Sequence, residues 1–498
     1  MGGIAPLAFG RRTFVLGAAA ASLVASAPRA LAAPVRDPFT LGVASGDPTP
    51  DGMVLWTRLA PDPLAADGLG GMPGRTVPVG WEIAEDEAFA RVVQRGVADA
   101  VPDSAHTVHV EATGLAPGRE YFYRFRAAGA LSPAGRTRTA PAPGTLGALT
   151  TCVASCADYP VGWFTAYRRL AEDEPGLVLH LGDYQYEYAT PEGSVRPVAG
   201  PETTALSGYR QRHAQYKTDP DLQAAHAVAP WLVVWDDHEV VDNWAGRATE
   251  PGFPERRIAA FRAYYEHMPL RRTSVPRGID MQLYRRIGWG ALATFHLMDT
   301  RQYRSDQACG DGMRVGCTAR LDPSRSLPGV AQEAWLRAGL RSSGARWDVL
   351  GQQVFFAERA RASDGAYAMD GWDGYAPSRD RVLAGFADVR NAVVLTGDVH
   401  THWANELVRG DRVVGTELVS SSITSGADGD AAGDHPDLRR NPHLRFRSNR
   451  RGYVRARYAA DGVTADFRVV DAVTTPGAPV RTAASFVIPD RDPGLHPA

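Results

Sequence analysis

Along most of this chain the apolar positions come in short unbroken runs, and each run stops at a group of polar residues. The run 177–181 ends in Gly182-Asp183-Tyr184-Gln185-Tyr186, and the run 231–234 in Trp235-Asp236-Asp237-His238-Glu239. The run 292–298 ends in Asp299-Thr300-Arg301, 349–350 in Gly351-Gln352-Gln353, and 393–395 in Thr396-Gly397-Asp398-Val399-His400. Apolar runs without alternation predict strands buried on both faces. Helical periodicity appears between them, at 165–171, at 254–265 with a proline near its start, and at 330–342 with Trp335, Leu336 and Leu340 on one stripe. Strands alternating with helices predict an α/β architecture. Ligands in such folds bind beyond the carboxyl ends of the strands. Five strands opening on one edge would gather Asp, His, Arg and Gln side chains there, which suits a polynuclear metal site that handles an anion.

Residues 37–145 follow a different rhythm. Period-2 alternation, as in Trp81-Glu82-Ile83 and 121–126, is broken by the turn signals Gly46-Asp47-Pro48, Asp51-Gly52 and Pro73-Gly74. The stretch from Leu115 to Tyr121 resembles the turn and tyrosine corner of immunoglobulin and fibronectin type III sandwiches. Ala140-Pro141-Ala142-Pro143-Gly144 reads as a linker. His106 and His109 read as surface histidines, not ligands. Near the other end, 452–458 and 463–470 alternate around Asp461-Gly462, a hairpin pattern. The Gly-, Asp- and Arg-rich stretch 426–451 reads as a loop with at most a short helix.

At 498 residues the chain exceeds one ordinary core. A hydrophobic content of 44% and a charged content of 22% describe a soluble globular protein. The net charge of −2 gives no case for nucleic acid or an anionic membrane surface. Lys217 is the lone lysine among the basic residues. Residues 1–33 read as a twin-arginine signal peptide: Arg11-Arg12-Thr13-Phe14, then the apolar 15–24, then Ala30-Leu31-Ala32 as a cleavage site. That apolar stretch is too short to span a bilayer, and no second one follows. The chain is therefore expected to be exported by the twin-arginine translocase to the periplasm or the medium, with no stable membrane span.

Phosphoester hydrolysis needs neutralised phosphoryl oxygens, a nucleophile at ordinary pH and a stabilised leaving group, and two or more metal ions supply these. Asp183 is the candidate bridging carboxylate, and Tyr186 on the same loop could bind a ferric ion as phenolate. Cys156, ending an apolar run from Thr150, could bind as thiolate or be a buried apolar cysteine. A Cys152–Cys156 bridge is excluded by their spacing in an extended strand. Cys309 and Cys317 flank a Gly-rich loop and are expected to pair. Asp237 would bind a second metal, with His238 hydrogen-bonding a phosphoryl or leaving-group oxygen. Asp242 and Asn243 could hold a hard ion such as Ca²⁺ or cap a helix. Asp398 and His400 point the same way, and His402 ranks below them.

At these residues the chain resembles the PhoD-type alkaline phosphatase and phosphodiesterase family, a branch of the calcineurin-like metallophosphatases. The resemblance runs over nearly everything after the signal. It is carried by 39–48, Val54-Leu55-Trp56-Thr57-Arg58, Ser155-Cys156-Ala157-Asp158, 181–188, Trp235-Asp236-Asp237-His238-Glu239-Val240, 299–304 and Gly397-Asp398-Val399-His400. It implies a sandwich of two β-sheets flanked by helices, at 148–490, preceded by the small all-β domain at 37–145. It also implies a ferric ion with Ca²⁺, two of them expected. Cys156, Asp183, Tyr186 and Asp398 match the iron set. Asp237 and His400 match calcium-side ligands, and Gln353 stands where the superfamily has a histidine. A carboxy-terminal segment over the site, expected at 441–451, is implied too.

The expected function is a secreted alkaline phosphatase in which a metal-activated hydroxide attacks phosphorus while His238, with Arg301, stabilises developing charge. One alternative is a phosphodiesterase or phospholipase D-like hydrolase of nucleotide, teichoic acid or lipid diesters. A distant alternative is a secreted binding protein with structural metals.

Overall fold

All five apolar runs form strands, at Leu177–Leu181, Pro230–Val234, Ala293–Leu297, Trp347–Gly351 and Ala392–Thr396. Four of them are buried at every position, as runs without alternation require. The computed structural model describes residues 36–246, 250–430 and 434–498; the signal-peptide reading of 1–33 lies outside the described residues. Asp37–Ala498 form one unit.

The five strands belong to two sheets. In the first, Leu149–Ala154, Leu177–Leu181 and Pro230–Val234 are parallel neighbours. The hairpin of Gly452–Tyr458 and Gly462–Val470 continues that sheet beyond Leu149–Ala154, so the alternating tail is an antiparallel extension of a buried parallel core. In the second, Ala293–Leu297, Trp347–Gly351, Ala392–Thr396 and Arg412–Val419 run parallel. The sheets pack face to face: Val153, Leu179 and Leu181 share one core with Leu297, Val349, Val393 and Leu395. The helices cover the outer faces. Thr165–Glu172 and Phe253–His267 bury Tyr167, Leu170, Phe261 and Tyr264 against the first sheet, while Val330–Arg341 and Ala376–Gly385 bury Leu336, Leu340 and Val382 against the second. The predicted class, a two-sheet α/β sandwich behind a small all-β part, is the observed one.

That all-β part does not hang from a free linker. Its strands Val43–Thr49, Gly52–Arg58 and Thr107–Ala112 extend the first sheet, Val43–Thr49 pairing in parallel with Pro230–Val234. A second small sheet, built on Val92–Ala100, Val77–Ala84 and Glu120–Ala127, supplies the other layer of the core of Leu55, Val79, Ile83, Val110, Tyr123 and Phe125. The Tyr121 hydroxyl accepts from the Ala116 N–H at 3.0 Å, forming the corner expected from the sequence.

Three local expectations change. His106 is buried on the Arg75 carbonyl at 3.1 Å. His109 stacks on Tyr265 at 4.7 Å, with Nε2 2.8 Å from the Met268 carbonyl. Neither is the surface histidine that its short alternating context suggested. The stretch 426–451 holds a short helix, Pro436–Arg440, and also a strand, Leu444–Ser448, paired antiparallel with His402–Arg409. Its arginine-rich alternation disguised an edge strand as a loop. Cys309 and Cys317 are disulfide-bonded, and Cys152 and Cys156 are free and buried.

Candidate metal centre

The carboxyl ends of both sheets open on the same place, and glycines let their loops close on each other. Gly182 (φ 103°) passes so near the next strand end that a Cβ there would lie 2.4 Å from Asp236 Cβ and 2.6 Å from its backbone nitrogen. A Cβ on Gly397 would lie 2.6 Å from Ser155 Oγ, which brings the last loop onto the first. The Cys156 N–H donates to the Gly182 carbonyl at 3.1 Å, and Ala157 N–H to the Asp183 carbonyl at 2.9 Å. Glu239, wholly buried, knots the loops: it accepts from the N–H groups of Asp183, Tyr184 and Asp236 at 3.1, 2.7 and 2.9 Å.

Two groups of donor atoms converge there. Cys156, Asp183 and His400 form one, and Asp183, Asp237 and His238 the other, each with its ligand atoms within 4.8 Å of one another. Asp183 is common to both, the position a bridging ligand needs. The Tyr186 hydroxyl joins the first group, 3.0 Å from Asp183 Oδ2 and 3.3 Å from His400 Nε2. His400 thus sits with the thiol and phenol and within electrostatic reach of Asp237, the side the resemblance implied for it. Asp398 lies within electrostatic reach of Cys156. Asn243 sits at the edge of the second group; its N–H donates to Asp237 Oδ2 at 2.7 Å, and Nδ2 to Asp311 at 3.0 Å. Residues 244–246 are not helical, so Asn243 caps no helix. Cys156, Asp183, Asn243, Asp398 and His400 all have φ between 50° and 64°, a left-handed conformation that costs of order 1 kcal/mol each. Strain of this kind persists where surrounding structure holds a site in a working geometry.

The electrostatics fit a centre that holds cations. Burial, then the Asp237 carboxylate, pushes Asp183 well up. Burial, then Asp183, does the same to Cys156 and Tyr186; for Asp398 it is burial, then Asp236. So many acidic groups cannot ionise together in a dry pocket unless cations share it. Asp183 Oδ1 is buried without a hydrogen-bond partner. A thiol, a phenol, carboxylates and an imidazole around such an atom fit metal ions well.

Two predicted residues take other parts. Gln353 Oε1 accepts from both Thr300 N–H (3.0 Å) and Thr300 Oγ1 (2.6 Å), so both lone pairs are committed; Nε2 donates to the Met298 carbonyl. It is not available as a ligand. Arg301 is wholly buried: Nε donates to Asp236 at 2.6 Å, and its two terminal nitrogens grip Asp370 bidentately at 2.9 Å. It holds carboxylates in place, with all three guanidinium nitrogens engaged by them. His402 is buried in the core, accepting from Ser421 N–H at 3.0 Å with its edge on Phe467.

Sequence reasoning missed Glu187, Glu239, Asp370 and Ser425. Glu187 Oε2 lies 2.9 Å from His238 Nδ1, and its other oxygen accepts from the Asp242 N–H. Ser425 Oγ lies 2.7 Å from the Tyr186 hydroxyl. Glu187 and Glu239 stand inside motif strings and could have been weighed for burial; Asp370 and Ser425 carry no local signal.

The PhoD-like phosphatase family model matches residues 151–467, and the model of that family's N-terminal domain matches 24–141. The chain belongs to the PhoD-like phosphatase family. It is 48% identical over 481 residues to alkaline phosphatase D of Bacillus subtilis, covering 92% of this chain and 82% of that one. A solved structure of PhoD matches at a TM-score of 0.90 with 47% identity, across 95% of this chain and 93% of the other. The purple acid phosphatase PPD1 of yellow lupin matches at 0.56 with 11% identity, across 89% and 73%, and shares the fold alone. Like its PhoD-like relatives, the protein is a phosphoric ester hydrolase, and its family implies metal cofactors. No helix among the described residues is long and apolar enough to cross a membrane.

Proposed function

We propose that the protein is an exported alkaline phosphatase whose centre holds a ferric ion and Ca²⁺. The observation that carries this reading is Asp183, shared by two converging donor groups of different character. Cys156, Tyr186 and His400, with Asp398 beside them, suit the ferric ion; Asp237 and Asn243 suit a hard oxygen-seeking ion. Bound there, the cations neutralise phosphoryl oxygens and provide a nucleophile at ordinary pH.

The chain's own residues do the rest. Glu187 at Nδ1 fixes the His238 ring and leaves Nε2, 3.9 Å from Asp242 Oδ1, free to meet the substrate. Burial opposes charge on His238, but Asp237, Asp183 and Glu187 together raise it well above its usual value. With Glu187 at Nδ1 supporting the imidazolium, His238 can hold a proton at Nε2 for the departing alkoxide. Tyr186 stacks on the His238 ring at 4.2 Å and keeps its plane. Arg301 holds Asp236 and Asp370 in register.

A diester reading has one observation in its favour. A cavity of about 930 Å³ opens beside Asp242 and Asn243, walled by Trp244, Phe253, Arg256 and Gln307. That is far more room than an orthophosphate needs, and a second organic substituent fits it. Residues 1–33 serve as the twin-arginine signal, 37–145 as a supporting sandwich and 148–490 as the catalytic part.

Asp183→Asn tests the reading. It is expected to lose metal and hydrolysis of 4-nitrophenyl phosphate together. Full metal content with full activity would reject it. Replacing Arg11-Arg12 by Lys-Lys should retain the protein in the cytoplasm.

A further inference from the structure

Most arginines around the centre are committed to partners. Arg301 and Arg304 hold Asp370, Arg379 holds Asp373 and Glu358, and Arg451 holds Ser422 and the Ser425 carbonyl. Arg359 and Arg447 are different. Both are half-buried, and the guanidinium of neither makes a hydrogen bond or ion pair among the described residues. Rings hold them instead. Arg359 lies 4.6 Å from the Phe355 ring and 5.3 Å from Trp403, and Arg447 lies 5.7 Å from Trp403. His435 meets the same indole edge-on at 6.3 Å. Stacking fixes a guanidinium in place while leaving its N–H donors unused.

The two arginines are carried by segments tied to each other. Ala360 exchanges hydrogen bonds with the Asn441 side chain at 3.1 and 2.9 Å, and His443 Nε2 lies 2.7 Å from the Glu358 carbonyl. The nearby carboxylates are already engaged. Asp373 takes Arg379 and the Arg359 N–H, Asp437 takes the Ala362 N–H, and Glu417 takes the N–H groups of Phe356 and Ala357. Trp403 follows Asp398 and His400 directly on the loop into its strand, and Arg359 is within electrostatic reach of Asp398. Partial burial of two cations whose neighbouring carboxylates are engaged elsewhere is costly unless an anion joins them. Phosphate oxygens match the guanidinium fork bidentately.

We propose that Arg359 and Arg447, over Trp403 and beside His435, form an accessory subsite for a second phosphate group of the substrate. The preferred substrates are then molecules with two phosphoryl groups, one at the metal centre and one here. This rests on the proposed function, because it takes the reacting phosphate to lie beside Asp183.

Fructose 1,6-bisphosphate and fructose 6-phosphate differ by one phosphate and make the test. Phosphate release at low concentration should favour the bisphosphate by about tenfold, the scale of a charge-assisted contact. Arg359→Gln and Arg447→Gln should each bring that preference to within about threefold. Arg447 lies on an edge strand, so its variant guards against a folding defect in the other. Calorimetric binding of the two sugars by the metal-loaded protein reads the same preference without turnover. If neither sugar is hydrolysed but the binding preference is present and lost in both variants, the subsite stands and the assigned reaction falls. Equal binding of the two sugars, or a preference untouched in both variants, overturns the subsite.

Discussion

At the scale of single residues, the decisive contrast is between side chains that face the centre and side chains that hold those which do. His238 faces it. Proton donation by His238 matters only for a leaving group that departs poorly as an anion. Replacing His238 by Ala should therefore cost about 100-fold or more with an alkyl phosphate, and under about tenfold with 4-nitrophenyl phosphate. Equal losses on both substrates would mean that His238 donates no proton. Arg301 is a holder. Arg301→Leu leaves Asp236 buried without its cation and Asp370 with Arg304 alone, so thermal or urea unfolding should show a loss of about 3–5 kcal/mol. The strings around Asp183, Asp237 and Asp398 were legible because a carboxylate just past a buried strand has few places to go. Gln353 and Arg301 follow strands in the same way, yet they turn onto Thr300 and onto Asp236 with Asp370. The direction of a side chain beyond a strand end depends on neighbours far away in sequence, which an apolar run does not encode.

At the scale of elements, the five strands and the three named helices follow from periodicity, and their loops follow from glycine. A Cβ on residue 182 would strike Asp236, and φ 103° is closed to other residues. Gly182→Ala should cost about 2–4 kcal/mol in unfolding and reduce metal content along with activity. A stable, fully loaded variant would show that the loops need no such close approach. The edge strand Leu444–Ser448 was not legible. Its alternation places Arg445 outward beside other arginines, and that composition imitates a solvated loop. It gains its order from pairing with His402–Arg409, a partner some forty residues away in the chain.

For the molecule as a whole, buried histidines set an acid limit. His180 and His213 are held down to about 3 from the usual 6.5, by burial first and then by Lys217. Their folded values lie below their unfolded ones, so an unfolding chain takes up protons first. The stability they contribute is complete above pH 6.5 and is lost as the pH falls toward 3. Each should cost about 2 kcal/mol by pH 5. The urea midpoint should fall steeply below pH 6, and His213→Asn should flatten that fall; a flat midpoint from pH 7 to 4 would contradict it. At this scale the sequence predicted one edge for five strands, and the structure draws that edge from two sheets packed on each other. Which strand pairs with which is settled by cross-chain packing such as Leu181 over Gly351, a contact no local pattern announces.

The central claim is that Cys156, Asp183, Tyr186 and Asp398 accept a cation that lets them ionise together in a buried pocket. Elemental analysis with a visible spectrum, on the purified protein and on Tyr186→Phe, tests it most directly. The account predicts about one iron per chain and a visible band that shifts or vanishes in the variant. A colourless, fully active protein carrying stoichiometric zinc, with the variant indistinguishable from it, would contradict it.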